Sequence, residues 1–320
     1  MNTTFDPQAL ADDLTEINRI YSRFFATLDE SSWDKPTKGG PKEWTQHETV
    51  AHLCALHGTW LESIKHALRG ELYTYVGLDD RYQLNAYNRK GIDEHLHLPM
   101  KELFARFLDI HDEAARIARD LRPGQTEVLT LPMPFYNRSL SVVEALGIMT
   151  FHAGIIHTAQ IAEPAGSNPL WRQLSPEMRH RLIGRVMRAF SLLYRSDIGG
   201  SLNATLVFRV DGPGGGEWHV KLSPDVSTSG EGSVDRPSLV IHLRDTAVFC
   251  QMLTGRFNSP LGLISGRMEL RGDLRLFLRM DTLFSVDARP KVAAHEKNII
   301  HSSTLNGESV QTRKRKRSLS

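Results

Sequence analysis

From Ser141 to Pro164 the chain reads SVVEALGIMTFHAGIIHTAQIAEP, a run filled mostly by apolar residues. Ser141 is a helix N-cap type, and Glu144 three places on completes a capping box, in which each side chain satisfies a backbone N–H at the helix start. The run therefore predicts one amphipathic helix that is largely buried. Such a helix cannot stand alone, because its apolar surface must be covered by other elements. It also carries His152 and His157 near its middle. Two histidines in a buried helix are either ligands or hydrogen-bonded core groups.

Three other segments have the pattern needed to cover it. Asp6-Pro7 opens a helix on which Leu10, Leu14, Ile17, Ile20, Tyr21, Phe24 and Leu28 recur at steps of three and four. Thr45 and Glu48 form a second capping box, starting a helix to Leu68 with Val50, Leu53, Trp60, Leu61 and Ile64 on its core side. A third long helix starts near Pro99, with Leu103, Phe104, Phe107, Ile110, His111, Ala114, Ile117 and Leu121 as its stripe, and ends at Pro123-Gly124. Between them, Gly70 to Gly91 reads as irregular. Four helices of this length predict an all-α bundle over residues 1–165.

A connecting stretch, 166–198, contains a helix from Ser175-Pro176-Glu177 to about Tyr194. The period then changes. Leu202, Ala204, Leu206, Phe208 and Val210 alternate with polar or small residues, as do Trp218, Val220 and Leu222 after the Gly212–Gly216 turn. Leu239–Leu243 is a third strand, Asp245 caps a helix to Leu253 that Gly255 ends, and apolar stretches flank Gly272. Residues 199–289 therefore predict an α+β domain. From 290 to 320 the composition is polar and ends in Arg313-Lys314-Arg315-Lys316-Arg317, which reads as a disordered basic tail.

At 320 residues the chain has room for two cores. Its net charge of +2 gives no electrostatic case for nucleic acid or a membrane surface as main partner. The two cysteines, Cys54 and Cys250, form no CxxC and no disulfide framework, which suits a reducing compartment. No signal peptide pattern and no apolar run of about 18 residues is present, so a cytoplasmic protein without a membrane span is expected. The pattern leaves a homo-oligomer open.

Ligands on one α-helix share a face when they stand three or four apart. His152 and His157 stand five apart and diverge by about 140° at roughly 100° per residue. They meet at one ion only if the helix is distorted, as by a π-bulge. The residue four before His157 is Ala153, which has no donor. His57 stands five from His52 and is expected to face elsewhere. Cys54 reads as core.

Trp44-Thr45, Val50-Ala51-His52-Leu53, Asn85-Ala86 and His157-Thr158-Ala159-Gln160-Ile161 together resemble the DinB-like four-helix superfamily, which includes mycothiol-dependent maleylpyruvate isomerase. The resemblance runs over about residues 5–165. It implies a divalent metal, zinc or nickel, held by one histidine of the second helix and two ligands four apart on the fourth. His52 matches the first position and His157 the last. The middle position falls on Ala153, and His152 is its neighbour. It also implies a low-molecular-weight thiol as co-reactant.

Phe208-Arg209-Val210, Gly215-Gly216-Glu217-Trp218, Pro237-Ser238-Leu239-Val240-Ile241, Leu253-Thr254-Gly255-Arg256, Gly266-Arg267-Met268 and Arg271-Gly272-Asp273-Leu274 resemble the sterol carrier protein type 2 fold. That resemblance implies helices on a mostly antiparallel sheet and an apolar cavity for a lipid or other hydrophobic small molecule. Phe249, Met252, Leu253, Phe257, Leu261, Leu263 and Ile264 are its candidate lining, or ordinary core. Two functions follow. One is a metal- and thiol-dependent transferase, isomerase or hydrolase acting on a small, partly apolar substrate. The other is a non-catalytic binder of a hydrophobic ligand with a degenerate metal site.

Overall fold

The structure, a computed structural model, describes residues 3–35, 43–128, 130–131, 133–136 and 138–285. The basic tail lies outside the described residues. Helix α1 (Pro7–Phe25) starts where Asp6 accepts the Ala9 amide at 2.9 Å. The capping boxes of Thr45 and Ser141 both form, starting α2 (Gln46–Leu68) and α5 (Val142–Phe151). Between α2 and α5 lie α3 (Leu84–Asp93) and α4 (Met100–Asp120). Helices α1, α2, α4 and α5 form the bundle, and the expected apolar stripes of α1 and α4 face its core. The short α3 falls in the stretch expected to be irregular. It buries only Leu84 and Ile92, too few to show as a periodic pattern.

The run from Ser141 to Pro164 is not one regular helix. After Phe151 it widens into a π turn, His152–Ile156, and resumes as α6 (Thr158–Ala162). The His157 amide donates to the His152 carbonyl at 3.3 Å, five residues back instead of four. The Tyr21 hydroxyl of α1 donates to the Ala153 carbonyl within the turn at 2.8 Å. Gly154 lets the neighbours close on it: a Cβ there would stand 2.8 Å from Leu182 Cδ2 and 3.4 Å from Ile17 Cδ1. No single helix among the described residues is long and apolar enough to cross a membrane. The pair Val142–Ile156 and Thr158–Ala165 reaches that length only jointly and is bent by 45°.

Helix α7 (Pro176–Leu193), capped by Ser175, leads to the α+β half. Its strands are β1 (Ala204–Val210), β2 (Gly216–Leu222), β3 (Ser227–Glu231), β4 (Leu239–Leu243) and β5 (Met268–Gly272). The sheet order is β3-β2-β1-β4-β5, with β1 and β4 parallel and the other three pairs antiparallel, so the sheet is mixed. The edge strand β3 (STSGE) lacks the alternation by which a strand is recognised. Asp245 caps α8 (Thr246–Leu253) through the Val248 amide, α9 (Ser259–Ile264) follows, and Leu274–Leu278 is helical.

Helix α7 packs on α5 on one side and on β2 and β3 on the other, so it joins the two halves. Arg185 is its anchor. The side chain is fully buried, with Nη1 2.7 Å from Asp13 of α1, Nε donating to the Thr4 carbonyl and Nη1 to Thr150. A buried ion pair contributes little net stability, but removing one partner strands the other's charge. Asp13→Ala is therefore expected to destabilise the fold by about 3–5 kcal/mol, whereas Asp12→Ala at the exposed neighbouring position changes stability by less than about 0.5 kcal/mol. Urea denaturation of both variants checks this; equal losses would contradict it.

Candidate metal centre

The π turn sets the site. Five residues span about one turn of π-helix, so His152 and His157 point the same way instead of diverging. Their Nε2 atoms stand 3.1 Å apart. His52 comes from the second turn of α2 and lies against both rings, with centroids 5.4 and 5.0 Å away. One ligand atom from each of the three lies within 4.8 Å of the others. A tetrahedral zinc with Zn–N of about 2.0–2.1 Å would set its ligand atoms roughly 3.3 Å apart. The expectation that spacing separates the two histidines does not hold here, because that expectation assumes α geometry throughout. Ala153, where the resemblance puts the middle ligand, is fully buried within the turn, and His152 stands beside His157 and His52.

Burial decides the charge state of the rings. Burial holds His52, His57 and His152 well below the usual imidazole value, with neighbouring rings adding to the effect. It brings His157 down to about 4, although the bond to Gln160 and the charge of Glu43 oppose the shift. The rings are therefore neutral near pH 7, the form in which an imidazole can ligate a metal. Among the described residues no hydrogen bond engages the His52 ring. Trp44, just before the α2 cap, packs on it at 4.4 Å and stacks on His157 at 6.0 Å.

Two further histidines stand behind the triad. His57 Nε2 lies 3.0 Å from His152 Nδ1, and His57 Nδ1 lies 2.8 Å from His111 Nε2 on α4. His57 thus faces the site it was expected to turn away from, because the π turn carries His152 across to it. Burial lowers His111 to about 3. Cys54 is core, as expected: it is buried and pushed up to about 12, and its thiol donates to the Leu103 carbonyl.

A cavity of about 360 Å³ opens over the three imidazoles. Its walls are largely apolar: Trp60 and Leu56 of α2, Phe135, Ile148 and Phe151 near α5, and Phe190 and Leu193 of α7. Of the seven residues expected to line a cavity in the α+β half, Leu253 alone lines this one. Phe249 is core, Met252 and Phe257 are half-buried, and Leu261, Leu263 and Ile264 of α9 are exposed. Their apolar character does not distinguish a cavity wall from core or from surface. The guanidinium of Arg256, just past α8, pairs with Glu43 at 2.6 Å and Glu163 at 3.0 Å, which flank α2 and α6. It ties the α+β half to both edges of the histidine site.

A helical bundle with three converging imidazoles is joined through α7 to a mixed α+β sheet. Comparison with known proteins relates each half to a family. Residues 14–140 match the family described as mycothiol maleylpyruvate isomerase N-terminal domain, and residues 196–285 match the SCP-2 sterol transfer family. The chain thus carries a DinB-like bundle of the maleylpyruvate isomerase type followed by a sterol-carrier domain. The first match ends before the π turn and includes only His52 of the triad.

Among solved structures, the mycothiol-dependent maleylpyruvate isomerase is similar at 15% identity and TM-score 0.53, over 80% of this chain and 93% of that one. A variant of that enzyme matches at 14% identity and TM-score 0.53, over 81% of this chain and 94% of its own. These likenesses show the fold. The human hydroxysteroid dehydrogenase-like protein 2 is 22% identical over 113 residues, 35% of this chain and 27% of that protein, so the chain spans about a quarter of that relative's length.

The buried rings make stability depend on pH. The folded chain keeps them neutral, while the unfolded chain protonates them below about 6.5. Between there and about 4, where His157 titrates, the unfolded state binds more protons, so stability is full above 6.5 and falls as the pH falls. The slope reaches up to about 1.4 kcal/mol per pH unit for each ring. The urea midpoint of metal-stripped protein is expected to drop steeply from pH 7.5 to 5.0; a flat profile would contradict the burial of the cluster.

Proposed function

We propose that the chain is a metal-dependent enzyme of the DinB-like type, with zinc or nickel held by His52, His152 and His157, catalysing a thiol-dependent isomerisation or transfer on a small, partly apolar substrate. The observation that carries this reading is the convergence of three neutral imidazoles on the floor of an apolar cavity. A divalent ion held by these three imidazoles would supply Lewis acidity to a water or thiol in the cavity.

The chain's own residues do the rest. Trp44, Trp60 and Phe135 exclude water and present apolar faces to the substrate. Asn88 of α3 offers the cavity an amide for a polar substituent. A neighbouring, more polar cavity of about 190 Å³, lined by Thr59, Tyr87 and His95, shares His52, Leu56 and Asn88 with the first. It is suited to a polar thiol beside the same histidine. The name of the similar solved enzyme, a mycothiol-dependent maleylpyruvate isomerase, supports a thiol co-reactant and an isomerase reaction class.

The apolar walls favour a second reading, a binder of a hydrophobic small molecule or lipid, and the sterol-carrier match supports it. Metal analysis separates the two. Protein purified under zinc- and nickel-replete conditions is expected to hold one ion per chain, with His52→Ala, His152→Ala and His157→Ala each losing it. Metal-free wild-type protein under those conditions would sink the enzyme reading and leave the binder.

A further inference from the structure

Four histidines and one glutamine form an unbroken hydrogen-bonded chain through the bundle. His111 Nε2 meets His57 Nδ1 at 2.8 Å, His57 Nε2 meets His152 Nδ1 at 3.0 Å, His152 Nε2 meets His157 Nε2 at 3.1 Å, and His157 Nδ1 meets Gln160 Oε1 at 2.6 Å. A neutral imidazole has one N–H and one lone pair. The Gln160 oxygen only accepts, so His157 must carry its proton on Nδ1 and offer a lone pair at Nε2. His152 must then donate from Nε2 and accept at Nδ1. By the same step His57 donates from Nε2, and His111 donates from Nε2. One oxygen thereby sets the tautomer of all four rings.

That direction is incompatible with a metal on His152. His157 already presents its Nε2 lone pair, but the Nε2 of His152 bears a hydrogen. A ring that offers Nε2 to an ion must carry its N–H on Nδ1, facing His57 Nε2. His57 must then accept there and donate from Nδ1, and His111 must accept at Nε2 and carry its hydrogen on Nδ1.

We propose that metal binding reverses the tautomers of His152, His57 and His111 together, and that His57 and His111 are the positioning residues that make this reversal available. The proposal rests on the metal reading above. Protons balance: one N–H is lost at His152 Nε2 and one is gained at His111 Nδ1, so the hydrogen count of the chain is unchanged and each ring stays neutral.

The far end of the chain is built for it. His111 Nδ1 is buried and has no hydrogen-bond partner among the described residues. A metal-ligating histidine ordinarily has its second nitrogen on a carboxylate or carbonyl, which fixes one tautomer permanently. A fixed acceptor at His111 Nδ1 would hold the chain in the metal-ready direction, and a fixed donor would hold it in the other. With neither, both directions leave the same single nitrogen unpaired. The metal alone decides between them, while Gln160 keeps His157 ready in both.

Histidine-selective 15N labelling with long-range 1H–15N correlation reads each tautomer directly. In the full chain stripped of metal, His57 and His111 are expected as Nε2–H and His157 as Nδ1–H. One equivalent of Zn²⁺ should shift the signals of His52, His152 and His157, convert His57 and His111 to Nδ1–H, and leave His157 as Nδ1–H. His57→Leu removes the acceptor behind His152 and should weaken zinc binding by about 10–100-fold. His57→Gln, whose amide can meet His152 Nδ1, should recover most of that loss. Zinc bound to the three ligands with His57 and His111 unchanged would overturn the proposal and leave the metal reading standing. So would wild-type zinc affinity in His57→Leu. Absence of any ligand shift with zinc would overturn both.

Discussion

The hydrogen bond from the His157 amide to the His152 carbonyl reaches one residue further than in an α-helix, and the geometry of the site depends on it. In a regular helix the two rings would point about 140° apart. The wider turn brings them to 3.1 Å and aims both at His52. The distortion is supported from outside. Tyr21 hydrogen-bonds the Ala153 carbonyl, and Gly154 allows Ile17 and Leu182 to close against the turn. Packing from α1 and α7 thus maintains a backbone shape that sequence spacing would not favour.

The same turn links the site to the rest of the molecule. His152 reaches back through His57 of α2 to His111 of α4, so one polar line joins the π turn to two other bundle helices. Helix α7 supplies a cavity wall on one side and packs on the sheet on the other. Arg256 brings the α+β half against Glu43 and Glu163 beside the triad. The cavity is therefore shared between the halves: Leu253 of α8 lines it along with the bundle residues.

Much of the fold was legible because it is encoded locally. Asp6, Thr45, Ser141, Ser175 and Asp245 each cap the helix that their spacing announces, since a cap requires only neighbours within three residues. Helix α3 and strand β3 were not legible, because each buries too little to impose a period. The resemblance singles out His52 and His157, and His152 joins them only if the helix is distorted; helical spacing, which assumes hydrogen bonds four residues apart, does not reveal the π turn. The roles of His57 and His111 depend on α2 meeting α4, which no local pattern specifies. The one sign available was two histidines at a spacing of five in an apolar run.

The central claim is that the π turn brings His152, instead of Ala153, into a three-histidine centre with His52 and His157. Anomalous diffraction at the zinc edge, on crystals grown with zinc, tests it most directly. The account predicts a single peak in the bundle, about 2.0–2.1 Å from one nitrogen of each of the three rings, with the five-residue hydrogen bond intact. A regular helix through 152–157 with His152 turned away, or a peak bound by other residues, would contradict it.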